Sequence, residues 1–322
     1  MTTTEDLASL LSKINRLFGI EKVLSDRGKD LVDIYYAQSG PAYERLHSPR
    51  GAMHLAIMTK GTEFKPDGYR TQPRRVVGAA RHVGAKKILE LGCGKGFNVS
   101  IVARNLPEVA VIGTDLLPDH VEAARAGAAR DCLANLTFEI ASFEALPEDL
   151  SGVGVAFAVE TLCYARDLHK VATGVARSLA PGGRFLIYDV HTMTPAESWS
   201  ADMAKAVRLY EISMAVTEGF HAAGAWEAAL QRAGLEVRRV IDHSAEVLPG
   251  LGHLQQVGLG VVDDWKKRTA LKAAPRFLAR NLISSLLGPL VYAVPQAGRE
   301  GPLAYQLIVA EKPGRQGAPK PG

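Results

Sequence analysis

From Lys86 onward, short apolar runs alternate with stretches of helical period, and this rhythm restricts the chain to few folds. The runs cover residues 88–91, 109–114, 137–140, 153–159 and 184–190, and they are bounded by Gly, Pro or Asp. Helical patterns fill 97–105, 118–133 and 167–179. Strands that recur with a helix between them pair in parallel, so the expectation is a doubly wound α/β sheet with helices on both faces. The runs are continuously apolar rather than alternating, as in strands covered on both sides.

On either side of this region the rhythm changes. Leu7, Leu10, Leu11, Ile14, Leu17 and Phe18 share one helical face, which predicts an amphipathic helix over 5–18. Residues 28–75 read as a helix followed by loops. Residues 195–233 read as helical, with an end at Ala233-Gly234. Two further strands are expected at 235–241 and 305–309. The expected organisation is a helical cap or substrate lid over 1–75, and a sheet domain over 76–313 with a cap insert at 245–304. A disordered tail is expected over 314–322.

Composition removes several classes. Three cysteines, Cys93, Cys132 and Cys163, are too scattered for a disulfide framework or a zinc site. A net charge of +4 falls short of a nucleic-acid-binding arm, and no base-flipping motif is present. No run reaches the ~18 apolar residues of a membrane span. The first residues, MTTTEDLASLL, lack the pattern of a signal peptide, so a soluble cytoplasmic protein is expected.

The sharpest local signal is residues 87–98, KILELGCGKGFN, where an apolar strand runs into a glycine-rich turn and then a helix. Glycines permit a tight turn and let a ligand approach bare backbone, and the helix start beyond offers unpaired N–H groups. Asp115, closing the second run, can accept ribose hydroxyls. A ligand-free turn, a nicotinamide dinucleotide site and a site for S-adenosylmethionine (SAM) are the three readings. Glu90 beside the turn would repel a pyrophosphate and attract the sulfonium and ammonium of SAM, which favours the third.

Three segments in order resemble the class I SAM-dependent methyltransferases. Residues 90–96, ELGCGKG, resemble that superfamily's first motif; Gly113-Thr114-Asp115 resembles its acidic ribose-binding motif; residues 179–185, LAPGGRF, resemble the turn before its fifth strand. The resemblance implies a Rossmann-like sheet and SAM as cofactor, with S-adenosylhomocysteine as product. The cofactor residues it implies are Glu90, Gly92, Cys93, Gly94, Gly96, Asn98, Asp115, Leu116, Ser142, Phe143 and Glu160.

The stretch 157–165, FAVETLCYA, resembles the corresponding segment of sterol and isoprenoid C-methyltransferases, with Tyr164 where that branch has His and Arg166 where it has Pro. Ser142-Phe143 resembles its Asn-Phe pair, and Tyr35, Tyr36 and Tyr43 with His47 and His54 resemble its Tyr-rich N-terminal region. That branch implies C-methylation of an isoprenoid or sterol-like alkene. Such chemistry needs an apolar bed, aromatic or carboxylate groups facing a cation, and one base. The catalytic candidates are Glu160, Tyr36, Tyr164 and His191. N- or O-methylation of a natural product is the alternative, and a non-catalytic SAM-binding scaffold is the alternative of another class.

The late insert carries Phe277, Leu278, Leu282, Ile283, Leu286, Leu287, Leu290, Val291 and Tyr292, interrupted by Gly288-Pro289, and reads as helix, kink, helix with a broad apolar face. That face could line a chamber for a small apolar substrate, form a homo-oligomer interface, or contact a membrane surface, flanked as it is by Lys266, Lys267, Arg268, Lys272, Arg276 and Arg280. If the substrate is a prenyl diphosphate, those cations or Arg50, Lys60, Arg70, Arg74 and Arg75 would hold its head group. No metal-ligand set is expected.

Overall fold

The computed structural model describes residues 6–43, 47–48, 51–59, 61–294 and 298–314. The seven-stranded sheet consists of β1 (Lys87–Leu91), β2 (Ala110–Asp115), β3 (Leu136–Ile140), β4 (Val153–Val159), β5 (Leu179–Thr192), β6 (Glu236–Asp242) and β7 (Leu303–Glu311). Their order is β3-β2-β1-β4-β5-β7-β6. β1 pairs in parallel with β2 and β4, β2 with β3, and β4 with β5, whereas β6 and β7 are antiparallel. This mixed sheet with helices around it is the doubly wound α/β arrangement that the run-and-helix rhythm predicts, and it matches the Rossmann-like sheet that the resemblance implies.

Burial follows position in the sheet. All seven residues of β4, near the centre, are buried, and the edge strand β6 is mostly exposed. Because a central strand is covered on both faces, it reads as an unbroken apolar run. The helices of this region are α4 (Thr71–Val83), α5 (Phe97–Asn105), α6 (Pro118–Arg130), α7 (Leu168–Ser178) and α9 (Ala225–Arg232). Asp167 caps α7 by accepting from Lys170 N, and Gly84 ends α4 in the left-handed conformation. Leu89, Leu91, Ala156, Phe185, Ile187, Trp226, Leu230 and Ile308 belong to one buried apolar cluster.

The chain divides into two compact units. The sheet unit contains Arg70–Asp189, Ala223–Asp242 and Gln306–Gly322. The helical unit contains Met1–Tyr69, Val190–Ala222 and His243–Tyr305. Its helices are α1 (Leu7–Phe18), α2 (Ile20–Leu24), α3 (Val32–Ala42), α8 (Ala201–Ser213), α10 (Ser244–Val262), α11 (Trp265–Ala273) and α12 (Arg276–Val291). A cap boundary at residue 75 falls inside α4. Most of the expected tail, residues 315–322, lies outside the described residues.

Two expectations of helix layout need refinement. The stretch 195–233 reads as helical, but α8 and α9 within it are not continuous. Ser200 caps α8, and after Ser213 the chain turns back because the buried Glu211 carboxylate accepts from Phe220 N at 3.0 Å and from Arg208 Nη1 at 2.6 Å. The break at Gly288-Pro289 is also absent. α12 runs through Pro289 in its last turn, where few hydrogen bonds remain to lose, and the break lies at Ala274-Pro275 between α11 and α12. Gly288 serves packing instead, since a Cβ there would stand 2.9 Å from Leu251 Cδ2 of α10.

The apolar face of α12 is buried within the helical unit. Phe277, Leu282, Ile283, Leu286, Leu287 and Val291 are all buried, and α12 packs against α1, α3, α8 and α10. A helix apolar around most of its circumference belongs at the centre of a bundle. The face expected to line a chamber, an oligomer interface or a membrane contact is thus covered by the unit's own helices.

Candidate functional site

The glycine turn leaves β1 at Gly92, and its geometry requires glycine at two positions. Gly92 has φ +62°, and a Cβ there would stand 2.0 Å from Thr161 Oγ1, so the loop after β4 lies directly on the turn. Gly96 has φ +82°, with Phe138 Cζ 3.0 Å from where its Cβ would be. Both conformations and both approaches exclude a side chain. Cys93 is buried between these glycines and donates its N–H to Thr114 O at 2.8 Å.

Glu90 is 1% exposed and receives a hydrogen bond from Asn98 Nδ2 at 2.9 Å, while its Oε2 has no partner of good geometry. Burial lifts its carboxyl from the ordinary 4.5 to about 8; Asn98 and the Val99 N–H offset only part of this, and Asp115 adds to it. A buried carboxyl of this kind favours a cationic ligand, whose charge restores the ionised form. Asp115 accepts from Gly94 N at 2.8 Å and from Leu117 N at 3.0 Å, and His120 Nδ1 lies 3.5 Å from its Oδ1. The carboxylate predicted for ribose thus also staples the glycine turn to the end of β2. Leu116, next along, is 60% exposed, an apolar surface beside that carboxylate.

The third cluster closes β4. Glu160 has φ +50°, one of three non-glycine residues with positive φ among the described residues, and its N–H donates to Tyr188 O at 2.8 Å. For a residue with a long side chain this backbone is strained, and such strain gathers at functional sites. The following turn holds Tyr164, whose N–H donates to Thr161 O at 3.3 Å, and Cys163, whose N–H donates to the buried Asp189 Oδ2 at 3.0 Å. Burial pushes the Cys163 thiol up, and the carboxylates of Asp189 and Glu160 push further, so it is no thiolate nucleophile. Ser142 Oγ accepts from Glu144 N at 3.2 Å, and Phe143 packs against the apolar cluster.

Sequence reasoning missed several partners. Thr114 Oγ1 donates to Glu90 O, Thr161 fills the space above Gly92, and Glu144 Oε1 accepts from Arg166 N and Asp167 N, tying its loop to the start of α7. Glu144 directly follows the Ser142-Phe143 pair, which was the available signal. Gly92, Gly94, Gly96, Glu90, Asn98 and Asp115 come together around one turn, whereas Glu160, Tyr164, Cys163 and Asp189 gather at the ends of β4 and β5.

The other candidates belong to the helical unit. His191, near the end of β5, is fully buried. Tyr36 stacks edge-on against Tyr35 at 5.0 Å, and Tyr35 meets Tyr43 at 6.4 Å with their hydroxyls 2.6 Å apart. His47 lies 5.2 Å from both Tyr43 and Tyr69, which makes a continuous aromatic row. Its Nε2 bonds His54 O at 2.8 Å, and burial lowers its pKa to about 4, so it is neutral. Arg276 and Arg280 do not wait for a phosphate. Both bind the buried Asp26, with Arg280 Nη1 at 2.6 Å, and Lys29 joins them at 2.7 Å. Arg50 and Lys60 lie outside the described residues. Among those described, no helix is long and apolar enough to cross a membrane.

Comparison with known proteins agrees with this geometry. A methyltransferase domain family matches residues 82–236. A SAM-dependent Diels-Alderase of Talaromyces variabilis is 28% identical over 232 residues, covering 68% of this chain and 77% of that protein. Among solved structures, the [4+2]-cyclase SpnF superposes with a TM-score of 0.65 at 15% identity, covering 88% of this chain and 96% of that one. Geranyl diphosphate C-methyltransferase from Streptomyces coelicolor A3(2) does so with a TM-score of 0.56 at 16% identity, covering 86% and 98%. Residues 82–236 thus carry a methyltransferase domain, and the chain shares the fold of these solved structures.

Proposed function

We propose that the protein methylates carbon in a small apolar isoprenoid-like alkene, and that Glu160 is the base that removes the proton afterwards. The observation that carries this reading is the left-handed backbone of Glu160 at the carboxyl end of β4, the edge at which open α/β sheets bind ligands. When bound, SAM supplies an electrophilic methyl group. The buried Glu90 carboxyl, the Asp115 carboxylate and the close approach allowed at Gly92 and Gly96 fit its cationic and ribose parts.

The chain's own groups then have distinct tasks. Glu90 holds positive charge at the turn, and Asp115 orders Gly94 and Leu117. Asp189 fixes Cys163 N and with it the turn that presents Glu160 and Tyr164. A Glu160 oxygen accepts the proton that the alkylated alkene must lose, and nearby carboxylate charge stabilises the cation before that loss. Within the helical unit, Tyr36, Tyr35, Tyr43, His47 and Tyr69 form a row of π surfaces of the kind that favour cations. The geranyl diphosphate C-methyltransferase of similar fold supports this substrate class.

The test is incubation with methyl-labelled SAM and a panel of prenyl diphosphates, sterols and quinols, followed by NMR location of the label. Label on carbon supports the proposal; label on oxygen or nitrogen replaces it with heteroatom methylation. A second reading has a specific basis, the Diels-Alderase relative. In that reading the bound cofactor orders a site for a pericyclic reaction and is not consumed. Product formed without matching S-adenosylhomocysteine would establish it.

A further inference from the structure

The helix α11 stands apart from the rest of the helical unit: of its nine residues, Trp265–Ala273, none is buried, and only Arg268 and Leu271 are half-buried. Trp265 at its start is 65% exposed, the largest exposure among the large apolar side chains. Lys266, Lys267, Arg268 and Lys272 follow, and Lys266 Nζ sits 5.8 Å over the Trp265 ring. No acid occurs between Trp265 and Ala273. The acids just before it are already engaged: Asp263 faces Lys13 at 3.6 Å, and Asp264 caps the helix through Lys266 N and faces Lys267 Nζ at 3.9 Å.

A short helix kept outside a bundle needs a reason to be ordered there. Both its neighbours are anchored. α10 and α12 pack on each other, and Arg276 and Arg280 at the start of α12 are fixed to Asp26. α11 is therefore held out between two firm supports. An exposed indole beside a cluster of cations suits a phospholipid surface, where the ring sits at the headgroup level and the ammonium groups meet phosphate. Charge complementarity selects an anionic surface over a neutral one.

We propose that α11 is a docking helix for an anionic lipid bilayer, with Trp265 inserted at the interface and Lys266, Lys267 and Lys272 against the headgroups. This surface is separate from the buried face of α12, and the proposal does not depend on which substrate the sheet unit serves.

The test uses the full chain with phosphatidylcholine vesicles, with and without phosphatidylglycerol. The protein should sediment only with the phosphatidylglycerol-containing vesicles and be released by high salt, and its tryptophan emission should shift to the blue on binding. The triple change K266E/K267E/K272E should weaken binding by about tenfold or more while leaving Tm unchanged. W265F should bind without the emission shift. Sedimentation with neither vesicle, equal sedimentation with both, or a charge-reversed protein that binds like wild type would each overturn the proposal. So would a blue shift that tracks protein concentration rather than lipid, since a second copy would then be the occupant.

Discussion

Replacing Glu90 by Gln gives the most direct test of how the glycine turn accepts its ligand. In the free protein the carboxyl is almost fully buried and titrates at about 8. At pH 7 it is mostly protonated. A cation bound beside it favours the carboxylate, so binding below pH 8 expels a proton and loses about tenfold in affinity per pH unit. Because half of the carboxyl is already protonated at pH 8, the Kd of SAM should rise by about fiftyfold between pH 8 and pH 6. Gln keeps an oxygen to accept from Asn98 Nδ2 but cannot ionise, so E90Q should bind more weakly at pH 8 and change far less with pH. Isothermal titration at several pH values measures both, and the ratio of the two proteins' constants removes the titration of the ligand's own amine. Parallel curves would mean that Glu90 does not change charge on binding and would refute the reasoning.

The same group makes a stability prediction of fixed sign. Its folded pKa is raised, so its favourable contribution is complete below the unfolded value of 4.5 and is lost as pH rises through about 8. At 1.36 kcal/mol per unit, the loss is at most about 5 kcal/mol. Without ligand, E90Q should match wild type at pH 4 and exceed its Tm at pH 8.

Three further substitutions test other parts of the structure. Asp115→Ala removes the acceptor for Gly94 N and Leu117 N, so it should both weaken SAM binding, measured by titration, and cost about 1–3 kcal/mol in denaturant unfolding. Glu160→Gln should lower kcat with little change in SAM Kd, whereas a rise in Kd alone would make Glu160 a cofactor-positioning residue. Glu160→Gly should raise Tm slightly, because glycine adopts φ +50° without strain. Asp26→Ala leaves the buried Arg280 without its carboxylate and should destabilise the protein by about 3–5 kcal/mol in chemical unfolding, with the greatest effect on the helical unit seen by hydrogen exchange.

The parts that were legible before the structure are those in which neighbouring residues carry the whole argument. Strands β1, β2 and β4 stand out because each is a short apolar run closed by Gly, Asp or Glu. The glycine turn shows itself because backbone conformation and close approach demand residues without a Cβ. The turn between α8 and α9 was not legible because it depends on Glu211 reaching forward to Phe220 N, a contact that periodicity does not encode. The kink expected at Gly288-Pro289 failed because a proline in a last helical turn breaks little, and the adjacent glycine answers to Leu251 on another helix.

Sequence alone determined the α/β rhythm, the acidic and glycine-rich ends of the first strands and the cationic character of the cofactor, since each follows from local sterics and charge. Tertiary structure decided what lies opposite each group. The apolar face of α12 had to be buried, but only the fold placed it among α1, α3, α8 and α10. Arg276 and Arg280 were cations in search of an anion, and only chain closure brought them to Asp26. Glu160 was a carboxylate after a strand, and only the placing of β5 beside β4, with Tyr188 O set to receive its N–H, shows it held in a strained backbone. Pattern and charge act between neighbours in the chain, whereas partners distant in sequence are set by packing.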